Sequence, residues 1–219
     1  GPLYDLTVTK TQSMVVGWIK SGLVWGVHVA TPCNTIRIAR RGMLERLRDS
    51  LRPLGYTHLS SKGQALVLQA NPRLKCSFWA MRTCRSLGLP ASLENPATSL
   101  LFYTPQSRSF AKLPDVRNEV CEFCMYGMPW RKSTRFLATH LYISFLRARR
   151  CLNKPRGVCA RTLKPHIQLS GFGREGSWIT RNTGAYPRGL AKDLAQSFID
   201  ARVSIKTDFL WHLISGILQ

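Results

Sequence analysis

"LVWGVHVATPC", residues 23–33, is a strand-length apolar run that breaks into Thr-Pro-Cys, and the fold assignment turns on it. A continuous apolar run of this length, rich in Val, reads as a strand covered on both faces, as parallel strands are. Upstream, "TVTKTQSMVVGWIKSG" has apolar residues at helical spacing and stops at Gly22, a helix end. Downstream, residues 31–62 read as a loop-rich excursion with a short basic helix in "GMLERLRDSL". "GQALVLQANPRLKCSFWAMRTCRSLG" is a second helix, ended by Gly88, and "LPASLENP" is a second short strand with Glu94 and Asn95 at its carboxyl end. Helix, strand, loop, helix, strand, loop is the rhythm of a doubly wound α/β sheet. Ligands of such sheets bind beyond the carboxyl ends of the strands, where Cys33 and Glu94 both fall.

The 219 residues suffice for one well-packed domain. Lys and Arg number 32 against 11 Asp and Glu, a net charge of +21. Such an excess implies a polyanionic partner, and nucleic acid is the natural one because neutralised phosphates release condensed counterions. No apolar stretch approaches the roughly 20 residues of a membrane span, so no membrane partner is expected. "GPLYDLTVTK" lacks the pattern of a signal peptide. Seven dispersed cysteines, an odd number, imply reduced thiols in a nuclear or cytoplasmic compartment.

After residue 120 the texture changes. "VCEFCMYGMPWRKSTRFLATH" reads as strand, basic turn and strand, and the following stretch to Trp178 is basic and irregular. "AYPRGLAKDLAQSFIDARV" is helical, with Pro187 near its start. Three segments result: an α/β core over 1–137, a basic recognition-like insertion over 138–180, and a C-terminal helix over 181–219 that returns to the core. Trp130 beside Arg131 and Lys132 offers either a base-stacking platform or core packing. Arg147, Arg149 and Arg150 form a basic face able to track a phosphate backbone. Cys121, Cys124, Cys151, Cys159 and His166 offer a zinc set, ordinary buried thiols or redox groups. The spacing is loose and no metal site is assigned. His28, within the apolar run, reads as structural.

A thiol among Arg37, Arg40 and Arg41 is the kind whose pKa falls, which raises its nucleophilic fraction. "TPCNTIRIARR", then "LENP", then "YGMPWRKSTRF" resemble, in order, three motifs of the C5-cytosine methyltransferases: the Pro-Cys nucleophile loop, the Glu-Asn-Val strand end and the Gly-x-Pro-Gln-x-Arg-x-Arg segment. "YDLT" resembles the preceding acidic motif, and "NTGAYPRGLAKDLAQSF" the closing Gly-Asn-x-Val-Pro segment with its helix. The likeness spans roughly residues 3–200 and extends to divergent members of protist genomes and mobile elements.

The resemblance implies a Rossmann-like core, a mostly parallel sheet with flanking helices, and S-adenosylmethionine as cofactor. Cys33 would attack C6 of a cytosine lifted from the duplex, making C5 nucleophilic. Glu94 would hold the base by N3 and its amine, Asn95 would brace the strand end, and Arg131 or Arg135 would steady the base or the loop. Asp5 would approach the cofactor's adenine, and Pro32 would shape the nucleophile's turn beside it. Arg37, Arg40, Arg41, Trp130, Lys132, Arg147, Arg149 and Arg150 would contact nucleic acid, DNA before RNA.

The chain departs from the family in three places. The glycine-rich cofactor loop and the ribose-holding acidic residue have no counterpart, so the expected core is incomplete: either the chain is truncated, with little activity alone, or a second chain supplies the missing strands. Trp130 stands where the family has glutamine, and "WRKSTR" is one residue longer than the family spacing. "NTIRIARR" replaces the usual sequence after the nucleophile. The rival expectation is therefore a non-catalytic nucleic-acid-binding module or mobile-element remnant, and a third is a small zinc-stabilised interaction domain.

Overall fold

A computed structural model of the chain describes residues 5–32, 36, 45–152, 157–169 and 184–217, the last stretch from 205 onward as helix backbone only. Helix α1 (Thr9–Lys20) ends at Ser21 and Gly22, where a φ of 77° turns the chain into strand β1 (Val27–Ala30). Helix α2 (Ser61–Ser86) starts where the Ser60 hydroxyl accepts from the Gly63 amide at 3.1 Å, capping one of its orphan donors. It runs through Pro72, which lacks an amide proton for the helical ladder. Leu74, Phe78, Met81 and Cys84, spaced by three or four, bury one stripe of it against the sheet. Burying a side chain such as Phe78 or Met81 contributes about 1.5–3 kcal/mol.

Gly88 reverses the chain (φ 67°) into strand β2 (Ala91–Pro96). After a 3-10 turn, the short helix α3 (Pro105–Ala111) leads to strands β3 (Val116–Glu122) and β4 (Ser133–Thr139). The chain closes with helix α4 (Arg188–Ile217). The α/β class is as the sequence implied, but the sheet is mixed rather than mostly parallel. Its order is β1-β2-β4-β3, with β1 parallel to β2 and β4 antiparallel to both neighbours. Three strands share one direction, yet the reversed strand lies between two of them, so two of the three ladders are antiparallel.

The basic helix expected within residues 42–51 is absent over its described part, 45–51. Asp49 captures the amides of Leu51 and Arg52 at 2.9 and 2.6 Å, satisfying locally donors a helix would use. Arg48 is drawn inward to the Pro53 and Val67 carbonyls and the Asn71 side chain. One sheet face packs Ala91, Leu93 and Leu137 against α2 and α3. The other packs Cys121, Phe136 and Ala138 against Leu190 and Leu194 of α4. No helix among the described residues is long and apolar enough to cross a membrane.

Candidate functional site

Ala30 lies opposite Glu94 in the parallel ladder, so the chain leaves β1 and β2 at the same end of the sheet. Asn95 is buried there. Its Nδ2 donates to the Thr31 carbonyl at 2.7 Å and to the Glu94 carbonyl at 2.9 Å, joining the two strand ends, while its Oδ1 has no partner. The Thr31 hydroxyl shares a 2.8 Å hydrogen bond with Ser77 of α2. The turn that carries Pro32 is thus held from two sides. Cys33, with Arg37, Arg40 and Arg41, lies outside the described residues.

Glu94 points to the opposite face, beneath the start of α4, and is 6% exposed. Burial pushes its carboxyl above the usual range, against the opposing pull of Lys132 and of a hydrogen bond with Tyr186. Tyr186 lies 2.9 Å from His28 Nε2, and His28 Nδ1 lies 2.7 Å from the Ser92 hydroxyl. Partial desolvation between Phe136 and Tyr186 holds His28 below its ordinary pKa. A neutral ring fits one assignment: Ser92 donates to Nδ1, Nε2–H donates to Tyr186, and Tyr186 donates to Glu94. His28 is therefore structural in a specific sense, as a link in a chain of hydrogen bonds that ends on Glu94. Tyr186 had no role in the sequence reading; an aromatic directly before the Pro187 helix start was the available signal.

On the α2 side of β1 lies a cavity of about 690 Å³. Asp5 and Pro32 both line it, between Val27 and Val29 of β1, Ser77 and Ala80 of α2, and Arg73. The two residues assigned to cofactor thus share one cavity although 27 positions apart. The Thr7 amide, donating to Asp5 at 2.9 Å, keeps that carboxyl below its ordinary pKa, with Arg73 at 3.9 Å.

Among the described residues, the cations expected to meet nucleic acid, Lys132, Arg147, Arg149 and Arg150, have partners within the chain. Arg147 is bound by both oxygens of buried Glu119, at 2.8 and 3.0 Å. Arg131 and Arg150 share buried Glu122, at 3.3 and 3.5 Å. Lys132 lies over the Phe123 ring, Arg149 over Tyr126 and Arg135 over Phe102. Trp130 is half-buried, with its indole nitrogen enclosed and unpartnered. Lys132 is within electrostatic reach of Glu94, whereas Arg131 is held by Glu122 at the carboxyl end of β3. No family model, curated protein or solved structure matches the chain.

Proposed function

We propose that the chain is a C5-cytosine methyltransferase-like protein that engages nucleic acid, DNA before RNA, at the carboxyl ends of β1 and β2. The observation that carries this reading is the register that sets Ala30 opposite Glu94. It brings the turn leading into Cys33 and a buried carboxyl to one end of the sheet, the arrangement that a thiol adding to a base held by a carboxyl requires. A carboxyl raised by burial stays protonated over a wider pH range. In that form it donates to a ring nitrogen while its other oxygen accepts from an exocyclic amine. The Ser92–His28–Tyr186 chain keeps that group oriented.

The cavity bearing Asp5 and Pro32 fits the adenosine end of S-adenosylmethionine, with apolar walls and an ionised carboxylate suited to an amine. Its volume lies in the ordinary range for cofactor pockets, roughly 300–1,000 Å³. That cofactor supplies a methyl group when bound; Asp5 would hold its base and Pro32 would set the approach of the nucleophile's turn. Among the described residues β1 pairs only with β2, so its outer edge is where strands of a second chain would add. None of the six described cysteines is in a disulfide, in keeping with a reducing, nuclear or cytoplasmic compartment. A second reading, a non-catalytic nucleic-acid-binding module or mobile-element remnant, is favoured by the net charge of +21.

The deciding experiment incubates the full chain with S-adenosylmethionine and a duplex containing 5-fluorocytosine. The expected result is a denaturation-resistant adduct that disappears in Cys33→Ser and falls at least about a hundredfold in Glu94→Gln. Salt-sensitive binding of the same duplex without adduct would overturn the catalytic reading and leave the second.

A further inference from the structure

Four side chains that the proposed site does not use converge behind the β3–β4 hairpin. Cys124 lies in the 3-10 turn after β3 (Phe123–Tyr126), and Cys151 follows a second 3-10 turn (Ser144–Arg149). Cys159 and His166 flank a tight reversal. It is closed by the Cys159 amide on the Lys164 carbonyl at 2.8 Å, Leu163 on Cys159 at 2.9 Å and His166 on Gly157 at 2.8 Å. Leu163 adopts a φ of 57° to make the turn, a conformation costly for a branched residue and maintained only where the surroundings demand it.

One ligand atom from each of Cys124, Cys151, Cys159 and His166 lies within 4.8 Å of every other. The three thiols are buried, and none is in a disulfide. Tetrahedral zinc, with bonds of about 2.3 Å to sulfur and 2.0–2.1 Å to nitrogen, requires edges of about 3.8 Å between sulfurs and 3.6 Å from sulfur to nitrogen. Cys151 Sγ lies 3.7 Å from His166 Nε2. His166 Nδ1 is 3.0 Å from the Gly157 carbonyl, so Nδ1–H donates there and the Nε2 lone pair is left facing the three sulfurs. The Ala160 amide donates to Cys151 Sγ at 3.3 Å. These spacings leave room for one ion between the ligand atoms and none for a multi-iron cluster.

We propose that Cys124, Cys151, Cys159 and His166 bind one zinc ion. Four protein ligands close the coordination sphere, which makes the site structural rather than catalytic. It fastens the segment bearing Arg147, Arg149 and Arg150 to the end of the hairpin. The pattern C-x26-C-x7-C-x6-H hides the site in the sequence, because the eye pairs Cys121 with Cys124. Cys121 instead belongs to β3 and packs against Phe136 and Leu190.

The test is metal analysis and native mass spectrometry of the full chain, isolated under reducing conditions. About one zinc per chain is expected, falling below about a tenth in Cys124→Ser and Cys159→Ser and unchanged in Cys76→Ser and Cys121→Ser. Exchange of the wild-type chain with cobalt(II) should give the intense visible bands of a tetrahedral ion with thiolate charge transfer. That spectrum decides the matter even where a serine variant fails to fold. A folded, reduced wild-type chain without zinc that takes up no cobalt would overturn the proposal. So would a disulfide among the three cysteines, or zinc retained after both serine substitutions are combined.

Discussion

Glu94 is a carboxyl kept where an ionised group is costly, and its titration has a definite sign. Its folded pKa is raised by burial. Its contribution to stability is therefore complete below the unfolded value of about 4.3 and is lost as pH rises through the folded value. Glu94→Gln should accordingly melt at a higher temperature than the wild type at pH 8, with no gain at pH 4. Parallel melting curves check this. Asn95 offers the opposite case. Its Nδ2 holds the Thr31 carbonyl, so Asn95→Asp replaces a buried donor by an acceptor and should destabilise by about 2–3 kcal/mol in urea titrations. Both residues were legible in the sequence as polar groups ending an apolar strand. Tyr186 was not, because its bond to His28 spans 158 positions and no local pattern encodes it. The zinc ligands were visible as residue types, but the reversal that sets Cys159 and His166 together is a tertiary fact.

Among the elements, α4 is the piece whose seating on the sheet is most exposed to a small change. A methyl group on Gly26 would stand 3.0 Å from the Phe198 ring and 3.1 Å from the Pro90 carbonyl. Gly26→Ala should therefore lift the middle of α4 and cost about 1–3 kcal/mol, read as a lower melting temperature with faster proteolysis within the helix. The end of α2 is tied to the sheet by Arg85, which grips both oxygens of Asp115 at 2.7–3.0 Å while Thr139 donates to the same carboxylate at 3.0 Å. The guanidinium holds Asp115 down to about 2. Its stabilisation is complete above about pH 4 and lost as pH falls through about 2. Asp115→Asn should lower stability at pH 7 by no more than about 1 kcal/mol, since the pair is partly solvated, and the two proteins should converge in acid. The strands and the longer helices were readable from periodicity and glycine stops, but α3 was not. Strand β1, read as covered on both faces, alternates half-buried and exposed residues because it pairs on one side only among the described residues. The strand order was not readable: an antiparallel hairpin looks the same in sequence whichever of its strands joins the existing sheet. The missing helix near residue 48 marks a place where Arg48 and Asp49 found better partners than helical amides.

For the molecule as a whole, the 32 Lys and Arg overstate the number of cations offered to phosphates. Arg131, Arg147 and Arg150 already face buried carboxylates. In the nucleic-acid reading, Arg149→Ala should reduce the slope of log K against log salt by about 1. Arg147→Ala should in addition destabilise the fold, because Glu119 would be left buried without its cation. Fluorescence anisotropy over a salt series, paired with melting curves, separates the two effects. Glu122 concentrates this coupling. One oxygen takes Arg131, Arg150 and the Ser133 hydroxyl, and the other accepts the Cys151 amide at 2.8 Å. That single proton sits where the sheet meets the basic segment. Its exchange lifetime in deuterated solvent therefore clocks how often the joint opens, and a basic arm that moved independently of the sheet would surrender it at the rate of an unfolded peptide.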